Sequence, residues 1–260
     1  MKAIKIFSVA TVLGLVALSL SCGATKPPPT LTAEDMFNKA KRRYDTRHYL
    51  EAAGQFKEML VRHPGSKFAE PANFLLGKCN YETKEYPLAE VEFGRVVRDF
   101  PRGRYAEEAH FMLGMCAFKQ RRPVHYDQTA TQEAIVLFGT YLARYPGGAF
   151  SGEAGARIRE CRSILAEKLF LNGTLYVKLR RWQAARLCFE ELLEKYSDLQ
   201  RADWAQVGLG RCYEEEKDWE RAEALYGMAL EKKGDAELVS AARDGMKRVQ
   251  SKKSRSVNSG

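Results

Sequence analysis

The sequence lacks the motifs by which most enzymes hold a phosphate group, a dinucleotide or a catalytic zinc ion. It contains no G-x-x-x-x-G-K, no G-x-G-x-x-G and no H-E-x-x-H. Histidine is scarce, with 4 residues in 260. The histidines do not lie at the spacing of metal ligands, and the sequence contains no C-x-x-C pair. From these absences we expect no enzymatic activity, no metal ion and no cofactor.

Long apolar runs are also absent after the first 22 residues, so the sequence predicts no transmembrane helix in the rest of the chain. The beginning of the chain has the form of a bacterial export signal. Lys2 and Lys5 are followed by an apolar stretch from Ile6 to Leu20 that is interspersed with small residues. We therefore expect residues 1–21 to be a signal peptide.

Cys22 stands directly after the small residue Ser21, as in the processing site of a bacterial lipoprotein. Lipidation would make Cys22 the first residue, whereas cleavage by an ordinary signal peptidase after Ser19-x-Ser21 would leave a soluble periplasmic protein. Residues 22–31 contain three consecutive prolines and predict an extended linker next to the membrane. Because Gly23 rather than Asp follows the cysteine, we expect a lipid-anchored protein on the periplasmic face of the outer membrane.

Acidic residues are in the minority, since 33 Asp and Glu face 42 Lys and Arg. The formal net charge is +9, and it falls to +7 when Lys2 and Lys5 are removed with the signal. Export excludes a nucleic-acid partner in practice. We expect residues 250–260 to be a disordered basic tail, with an anionic lipid surface or an acidic partner as the alternatives to simple solvation. Much of the basic excess lies near this tail, at Lys247, Arg248, Lys252, Lys253 and Arg255.

An alanine followed four residues later by an aromatic residue recurs five times along the chain. In four copies a Gly or Ala lies twelve residues before that alanine, and in the third copy Gly114 lies twenty residues before it. This is the pattern of the tetratricopeptide repeat, a pair of antiparallel helices that approach closely at small residues and enclose an aromatic ring. The five copies are Ala52–Phe56, Ala89–Phe93, Ala134–Phe138, Ala185–Phe189 and Ala222–Tyr226.

The repeats predict an all-α fold, a right-handed α-solenoid of five tetratricopeptide repeats that buries its core between neighbouring units. Repeats one to three would occupy residues 32–146. Repeats four and five, with a final capping helix, would occupy residues 147–249. Two irregularities stand out, an insertion within Arg121–Gln128 and an unusually long first helix in repeat four, at about Gly152–Leu179.

Three of the cysteines share one repeat position, two residues after the small glycine. They are Cys79, Cys116 and Cys212. In an exported protein the odd count of five cysteines after Cys22 suggests free thiols or mixed pairing. Because the three recur with the repeat, we expect buried core thiols that pack as small apolar side chains.

Aligning the repeats reveals two aromatic columns on the first helices of repeats one to three. Members of a column are 37 residues apart, and the two columns are seven residues apart, so they share one helix face. On the concave surface these rings would form a groove for a peptide, with lysines between them to meet a carboxylate. The alternative is that the rings pack against the neighbouring unit. The candidate peptide-binding residues are Phe37, Lys41, Tyr44, Phe74, Lys78, Tyr81, Phe111 and Phe118.

Several short stretches are more specific than the repeat pattern. They are Tyr49-Leu50-Glu51-Ala52-Ala53-x-x-Phe56, Tyr86-Pro87-Leu88-Ala89-x-x-x-Phe93, Asp127-Gln128-Thr129, Leu165-Ala166-Glu167 and Trp182-x-Ala184-Ala185. Together with the export signal, the insertion and the long fourth first helix, they make the chain resemble the BamD family over about Thr32–Lys232. Members of that family are lipoprotein subunits of the Bam complex.

The resemblance implies a non-enzymatic scaffold and receptor in the assembly of outer-membrane β-barrel proteins. In that family the C-terminal repeats dock on POTRA modules of the barrel subunit BamA, in a complex with other Bam lipoproteins. The N-terminal repeats are proposed to receive the C-terminal signal of unfolded outer-membrane proteins, which typically ends in an aromatic residue. Two alternatives stay open: another periplasmic tetratricopeptide lipoprotein, for pilus assembly or cell division, or an accessory subunit of a cell-wall enzyme.

Overall fold

Helices fill the part of the chain that a computed structural model describes, residues 31–232 and 234–258. Within these residues there are eleven α-helices and no strand, and none of these helices combines the length and apolar character needed to cross a membrane. The predicted signal peptide, Cys22 and the linker as far as residue 30 lie outside the described residues. The helices are α1 (Ala33–Asp45), α2 (Tyr49–Arg62), α3 (Ala69–Glu82), α4 (Tyr86–Asp99), α5 (Ala106–Lys119), α6 (Thr129–Arg144), α7 (Ser151–Lys178), α8 (Trp182–Tyr196), α9 (Gln200–Glu216), α10 (Trp219–Leu230) and α11 (Ala236–Asn258).

Ten of these helices form five consecutive pairs, units one to five, and α11 packs against the last pair. Each helix contacts the next along the chain, and first helices of neighbouring units also touch, as α7 does with α9. The buried side chains accordingly form clusters that run from one unit into the next. The predicted all-α solenoid of five helix-turn-helix repeats is confirmed, including the long first helix of unit four.

In units two and three the aromatic ring of the partner helix requires glycine at the small position of the repeat, whereas unit one has Ala40 there. A Cβ placed on Gly77 would lie 2.8 Å from the Phe93 ring, and one on Gly114 would lie 2.5 Å from the Phe138 ring. Both rings are fully buried. Because interiors are close-packed, no side chain fits between these helices without moving the ring. The alanine–aromatic pattern therefore sets the spacing inside each unit.

Two glutamates, one repeat apart, join unit two to unit three and unit three to unit four. Glu70 Oε1 accepts a hydrogen bond from the backbone N–H of Tyr105 at 2.8 Å. Glu107 Oε1 accepts one from the N–H of Ala149 at 2.7 Å and another from the Tyr141 hydroxyl at 2.9 Å. These carboxylates satisfy amide groups at the beginnings of α5 and α7, where the helix dipole favours negative charge. The turns before α5 and α7 are thereby held against the preceding unit.

The turns of the solenoid lie on two opposite edges because paired helices run antiparallel. Turns within a unit form the intra-unit edge, where four exposed basic residues adopt a left-handed backbone with φ between 54° and 65°. These are Arg47, Lys84, Arg180 and Lys217. Turns between units form the inter-unit edge, which in the first half of the chain comprises residues 63–68, 100–105 and 145–150.

The last helix is longer than the sequence predicts. The apolar pattern predicted a cap over Ala236–Val249 and disorder from residue 250, but α11 continues to Asn258. The prediction of a disordered tail is therefore wrong as far as this residue. The cause is visible in the ion pairs of the added turns, since Lys252 Nζ lies 3.0 Å from Glu214. The partner belongs to α9, which the local sequence of the tail could not reveal.

The cysteines at the shared repeat position are core side chains, as predicted. Cys79, Cys116 and Cys212 are fully buried and free. Burial raises the pKa of each of these thiols to about 12. They are therefore protonated and unreactive at neutral pH, which agrees with a packing role.

Candidate functional site

The first aromatic column joins consecutive units rather than lining a groove. Its three rings, all on first helices, are between 4% and 8% exposed. Each stacks on the aromatic ring that begins the next unit. This is the arrangement expected if the rings pack against the neighbouring unit instead of binding a peptide. The stacked pairs are Phe37 with Phe68 (5.0 Å between ring centroids), Phe74 with Tyr105 (4.6 Å) and Phe111 with Phe150 (4.7 Å).

The second column is only partly covered. Tyr44 and Tyr81 are half-buried. Each meets, edge to face, the tyrosine that begins the second helix of its own unit, at 5.6 Å for Tyr49 and 5.4 Å for Tyr86. Burial raises the pKa of both column tyrosines to about 12, so their hydroxyls stay protonated. The exposed part of each ring offers an apolar surface with a polar end.

Phe118, the third member of that column, is covered by two guanidinium groups. Its ring is 5% exposed. The guanidinium of Arg121 lies 3.5 Å from the ring centroid and that of Arg157 lies 4.8 Å from it. Both arginines also pair with Glu160. The ring is therefore enclosed by a local ion-pair network and gives no surface to a peptide.

The two lysines proposed to meet a carboxylate already have acidic partners. Lys41 Nζ lies 2.7 Å from Asp45, one turn along α1. Lys78 Nζ lies 3.5 Å from Glu108 of unit three. Both pairs are partly exposed, and such pairs contribute little to stability. A peptide carboxylate could compete for either lysine at small cost.

The structure thus brings the eight predicted residues onto first helices of units one to three, but not into an open aromatic groove. The prediction is corrected for four of the rings, Phe37, Phe74, Phe111 and Phe118, which are buried in packing. The accessible remainder is a strip along the first helices of units one and two. We call it the N-terminal strip, and it consists of Lys41, Tyr44, Lys78 and Tyr81.

A recess of about 320 Å³ opens between α7, α9 and α11, in the half of the solenoid where the aromatic columns end. Sequence reasoning missed it because it searched the repeat columns for aromatic rings rather than for apolar residues of any kind. Phe170, Val177 and Val207 occupy column positions of units four and five. The recess is lined mainly by apolar side chains, among them Phe170, Val177, Trp204 and Val207, with Arg211 and Arg248 beside them.

A buried carboxylate holds α11 in place beside this recess. Glu214 is 1% exposed, and it accepts hydrogen bonds from Tyr226, Arg248 and Lys252 at 3.2, 3.2 and 3.0 Å. Burial alone would raise the pKa of Glu214, but the hydrogen bonds from Arg248 and Lys252 outweigh it and lower that pKa. The carboxylate is therefore ionised at neutral pH and fully partnered, as a buried charge requires.

The insertion between α5 and α6 is an ordered loop. Buried Gln128 donates from Nε2 to three backbone carbonyls of the loop, at 3.0 to 3.3 Å, and its Oε1 accepts from the Thr131 hydroxyl at 2.6 Å. Lys168 of α7 donates to the Tyr126 carbonyl at 2.6 Å. The loop is thereby attached to unit four. A polar recess of about 250 Å³ lies between them.

These surfaces offer apolar and ionic contacts to a binding partner. Among the described residues, no group of three or more His, Cys, Asp or Glu side chains is placed to hold a metal ion. The partly buried His110 has a lowered pKa because burial disfavours its charged form. What the surfaces offer is apolar recesses and exchangeable ion pairs along stacked helices, which suit a polypeptide partner.

Most of the chain is similar to known outer membrane proteins of one family. Residues 29–223 match the YfiO family, described as outer membrane lipoproteins. The outer membrane protein assembly factor BamD of Caulobacter vibrioides is 26% identical over 205 residues, which cover 76% of this chain and 67% of that protein. The family match covers units one to four and ends at residue 223, near the beginning of α10 in unit five, so it includes the insertion and the long helix α7.

Solved tetratricopeptide structures resemble the chain less closely. The TPR2AB domain of yeast Sti1 is 15% identical, covers 84% of this chain and 83% of its own, and has a TM-score of 0.44. A thermophilic tetratricopeptide protein of Thermus thermophilus is 15% identical, covers 83% of this chain and 99% of its own, and has a TM-score of 0.37. Scores this low add nothing on function, and the fold rests on the helices described above.

Proposed function

The chain belongs to the YfiO family of outer membrane lipoproteins, and on that premise we propose that it is a non-enzymatic scaffold and receptor in the assembly and insertion of outer-membrane β-barrel proteins. The observation that carries the proposal is the family match over residues 29–223, because it includes units one to four and the first helix of unit five. The similarity to an outer membrane protein assembly factor points the same way.

The C-terminal repeats are the proposed docking site for a BamA-like barrel protein with POTRA domains, in a complex with other Bam lipoproteins. Unit four exposes three leucines, one in the last turn of α7, one at the intra-unit turn and one on α8, and they give a protein partner apolar surface to cover. Their exposed fractions are 52% for Leu175, 57% for Leu179 and 63% for Leu187.

The N-terminal repeats are the proposed receptor for the C-terminal signals of unfolded outer-membrane proteins. Within the N-terminal strip, Tyr44 and Tyr81 can stack on an aromatic residue, and Lys41 or Lys78 can exchange its acidic partner for the terminal carboxylate. An extended chain laid along the first helices would meet both chemistries in turn. The buried rings of the first column stack one unit on the next, which fixes how the first helices that carry the strip lie side by side.

A lipid anchor at Cys22 is part of the proposal, with the protein on the periplasmic face of the outer membrane. Its support is the sequence around Cys22 and the family description. Incorporation of labelled palmitate into the wild-type chain but not into a Cys22→Ser variant is the expected result. Equal labelling of both chains would contradict the anchor.

Depletion of the protein from the bacterium that encodes it tests the assembly role. We expect folded β-barrel proteins to fall in the outer membrane, measured by their heat-dependent mobility in gels, while periplasmic enzymes keep their levels. Unchanged amounts of folded barrels, together with altered cell-wall hydrolysis, would instead support an accessory subunit of a wall enzyme.

A further inference from the structure

Three turns of the inter-unit edge, residues 63–68, 100–105 and 145–150, form a rigid row along the first half of the solenoid. Each turn ends in an aromatic ring that stacks on the first helix of the preceding unit. The second and third turns are also held by Glu70 and Glu107 through the amides of Tyr105 and Ala149. The row therefore keeps its geometry as one surface.

Positive charge lies at the tips of this row. The three turns, His-Pro-Gly-Ser-Lys-Phe, Phe-Pro-Arg-Gly-Arg-Tyr and Tyr-Pro-Gly-Gly-Ala-Phe, contain no acidic residue. Lys67, Arg102 and Arg104 are exposed, as is Arg144 at the start of the third turn. Within the described residues, none of these four cations has an ion-pair partner within 4.0 Å.

The chain enters the solenoid at this same edge. The carbonyl of Leu31 lies 3.3 Å from Nε2 of His63, in the first turn of the row. Nine peptide units separate Cys22 from Leu31, and a fully extended chain of that length spans at most about 30 Å. An acylated Cys22 therefore keeps the row within a short distance of the membrane, which raises the effective concentration of lipid headgroups at the turns.

We propose that the row of inter-unit turns, with Lys67, Arg102 and Arg104 at its tips, rests on an anionic phospholipid surface. The proposal builds on the proposed lipid anchor, and it gives the solenoid an orientation, with its first three units lying edge-on to the bilayer. Juxtamembrane lysines and arginines are attracted to phosphate headgroups within a Debye length of the surface. These side chains are exposed, with Lys67 and Arg104 over the rings of Phe68 and Tyr105, and no recess is needed for such a contact.

The intra-unit edge provides a matched comparison. It also carries exposed basic residues, among them Arg47, Lys84 and Lys217, but it lies at the other ends of the helices, away from Leu31. Attraction that depends only on net charge would act equally through both edges. Attraction through the row alone marks it as the membrane-facing surface.

The test uses the mature chain from Cys22 with Cys22→Ser, so that no acyl chain contributes. Co-sedimentation is measured with vesicles of phosphatidylcholine alone and with vesicles that contain phosphatidylcholine and phosphatidylglycerol in equal parts. We expect binding only to the anionic vesicles, weakening as salt is raised. Reversal of three charges in the row, K67E with R102E and R104E, should lower binding roughly tenfold or more. The control R47E with K84E and K217E changes the net charge equally and should leave binding unchanged.

Equal loss in the two triple variants, or binding that does not depend on phosphatidylglycerol, would overturn the proposal. Thermal unfolding of each variant checks the fold, and glutamine replacements at the same positions serve if the glutamate variants unfold. Recovery of a POTRA barrel protein is measured on the same variants. A row variant that loses lipid binding but still recovers that partner shows that the two properties are separate. The proposed assembly role is contradicted only if the wild-type chain also fails to recover the partner.

Discussion

Phe74 stacks on Tyr105 across the boundary between units two and three, with ring centroids 4.6 Å apart and ring planes 19° from parallel. Phe74 is 4% exposed, and it also meets the Phe93 ring of its own unit at 5.7 Å. The backbone N–H of Tyr105 is bound by Glu70. One residue of the first column thus ties the inside of a unit to the following one.

Replacement of Phe74 by Ala should therefore act on stability. We expect the free energy of unfolding to fall by about 3–5 kcal/mol, since a buried ring is removed from a close-packed site. Urea unfolding followed by circular dichroism measures the change. The control is Leu88→Ala on α4, where the side chain is 55% exposed and little should be lost. A similar small loss for both variants would mean that the ring is not part of the core.

Replacement of Tyr44 and Tyr81 by Ala should act on binding instead. A peptide copied from the C-terminus of an outer-membrane barrel protein, ending in an aromatic residue, should bind about threefold to tenfold more weakly, because aromatic stacking is lost. Fluorescence titration gives the affinity. Tyr126→Ala, at a ring 53% exposed on the insertion loop, is the control and should bind as the wild type does. Unchanged affinity in the double variant, with the fold intact, would remove the N-terminal strip from the proposal.

Periodicity in the sequence predicts the helices well because each unit repeats the same packing problem. Gly77 contacts the Phe93 ring, and Gly114 contacts the Phe138 ring. The sequence spacing of each pair therefore predicts a contact that the structure contains. The aromatic columns are different. A ring seven residues from another shares its helix face, but only the position of the next unit decides whether that face is open. The ring of Phe74 is covered by that of Tyr105, which lies 31 residues away in sequence.

Two glycines of unit two should respond in opposite ways to replacement by Ala. A Cβ on Gly77 would lie 2.8 Å from the Phe93 ring, whereas one on Gly94 would meet nothing within 4 Å. Gly77→Ala should lower the free energy of unfolding by about 1–3 kcal/mol through overpacking. Gly94→Ala, inside α4, should raise it by up to about 1 kcal/mol through helix propensity. Equal effects in thermal or urea unfolding would contradict the packing role of Gly77.

Glu214 should make stability depend on acid pH. Its pKa in the folded state lies below the ordinary 4.5, so its contribution is present in full above that pH and is lost as pH falls through the folded value. Glu214→Gln leaves Arg248 and Lys252 without their carboxylate and should cost about 1–3 kcal/mol at neutral pH. Carboxyl groups usually titrate between about pH 3 and pH 5. Over this range the variant should lose less stability than the wild-type protein.

The matched control for this prediction is Glu34→Gln, at an exposed residue in the first turn of α1. Urea unfolding at neutral and acid pH should give nearly the wild-type pH dependence for that control. If Glu214→Gln followed the same pH dependence as wild type, the carboxylate would not be the group that holds α11. The same cluster explains why the end of the chain escaped sequence analysis. Lys252 looks like one residue of a solvated basic tail until Glu214 is placed beside it.

An affinity pull-down from detergent-solubilised outer membranes, with the full-length protein as bait, tests the assembly role most directly. The scaffold assignment predicts recovery of a barrel protein that carries POTRA domains, together with other lipoproteins, in amounts that fall when Leu179 and Leu187 are replaced by Glu. Recovery of cell-wall or pilus proteins in its place, with no POTRA-containing barrel, would contradict it.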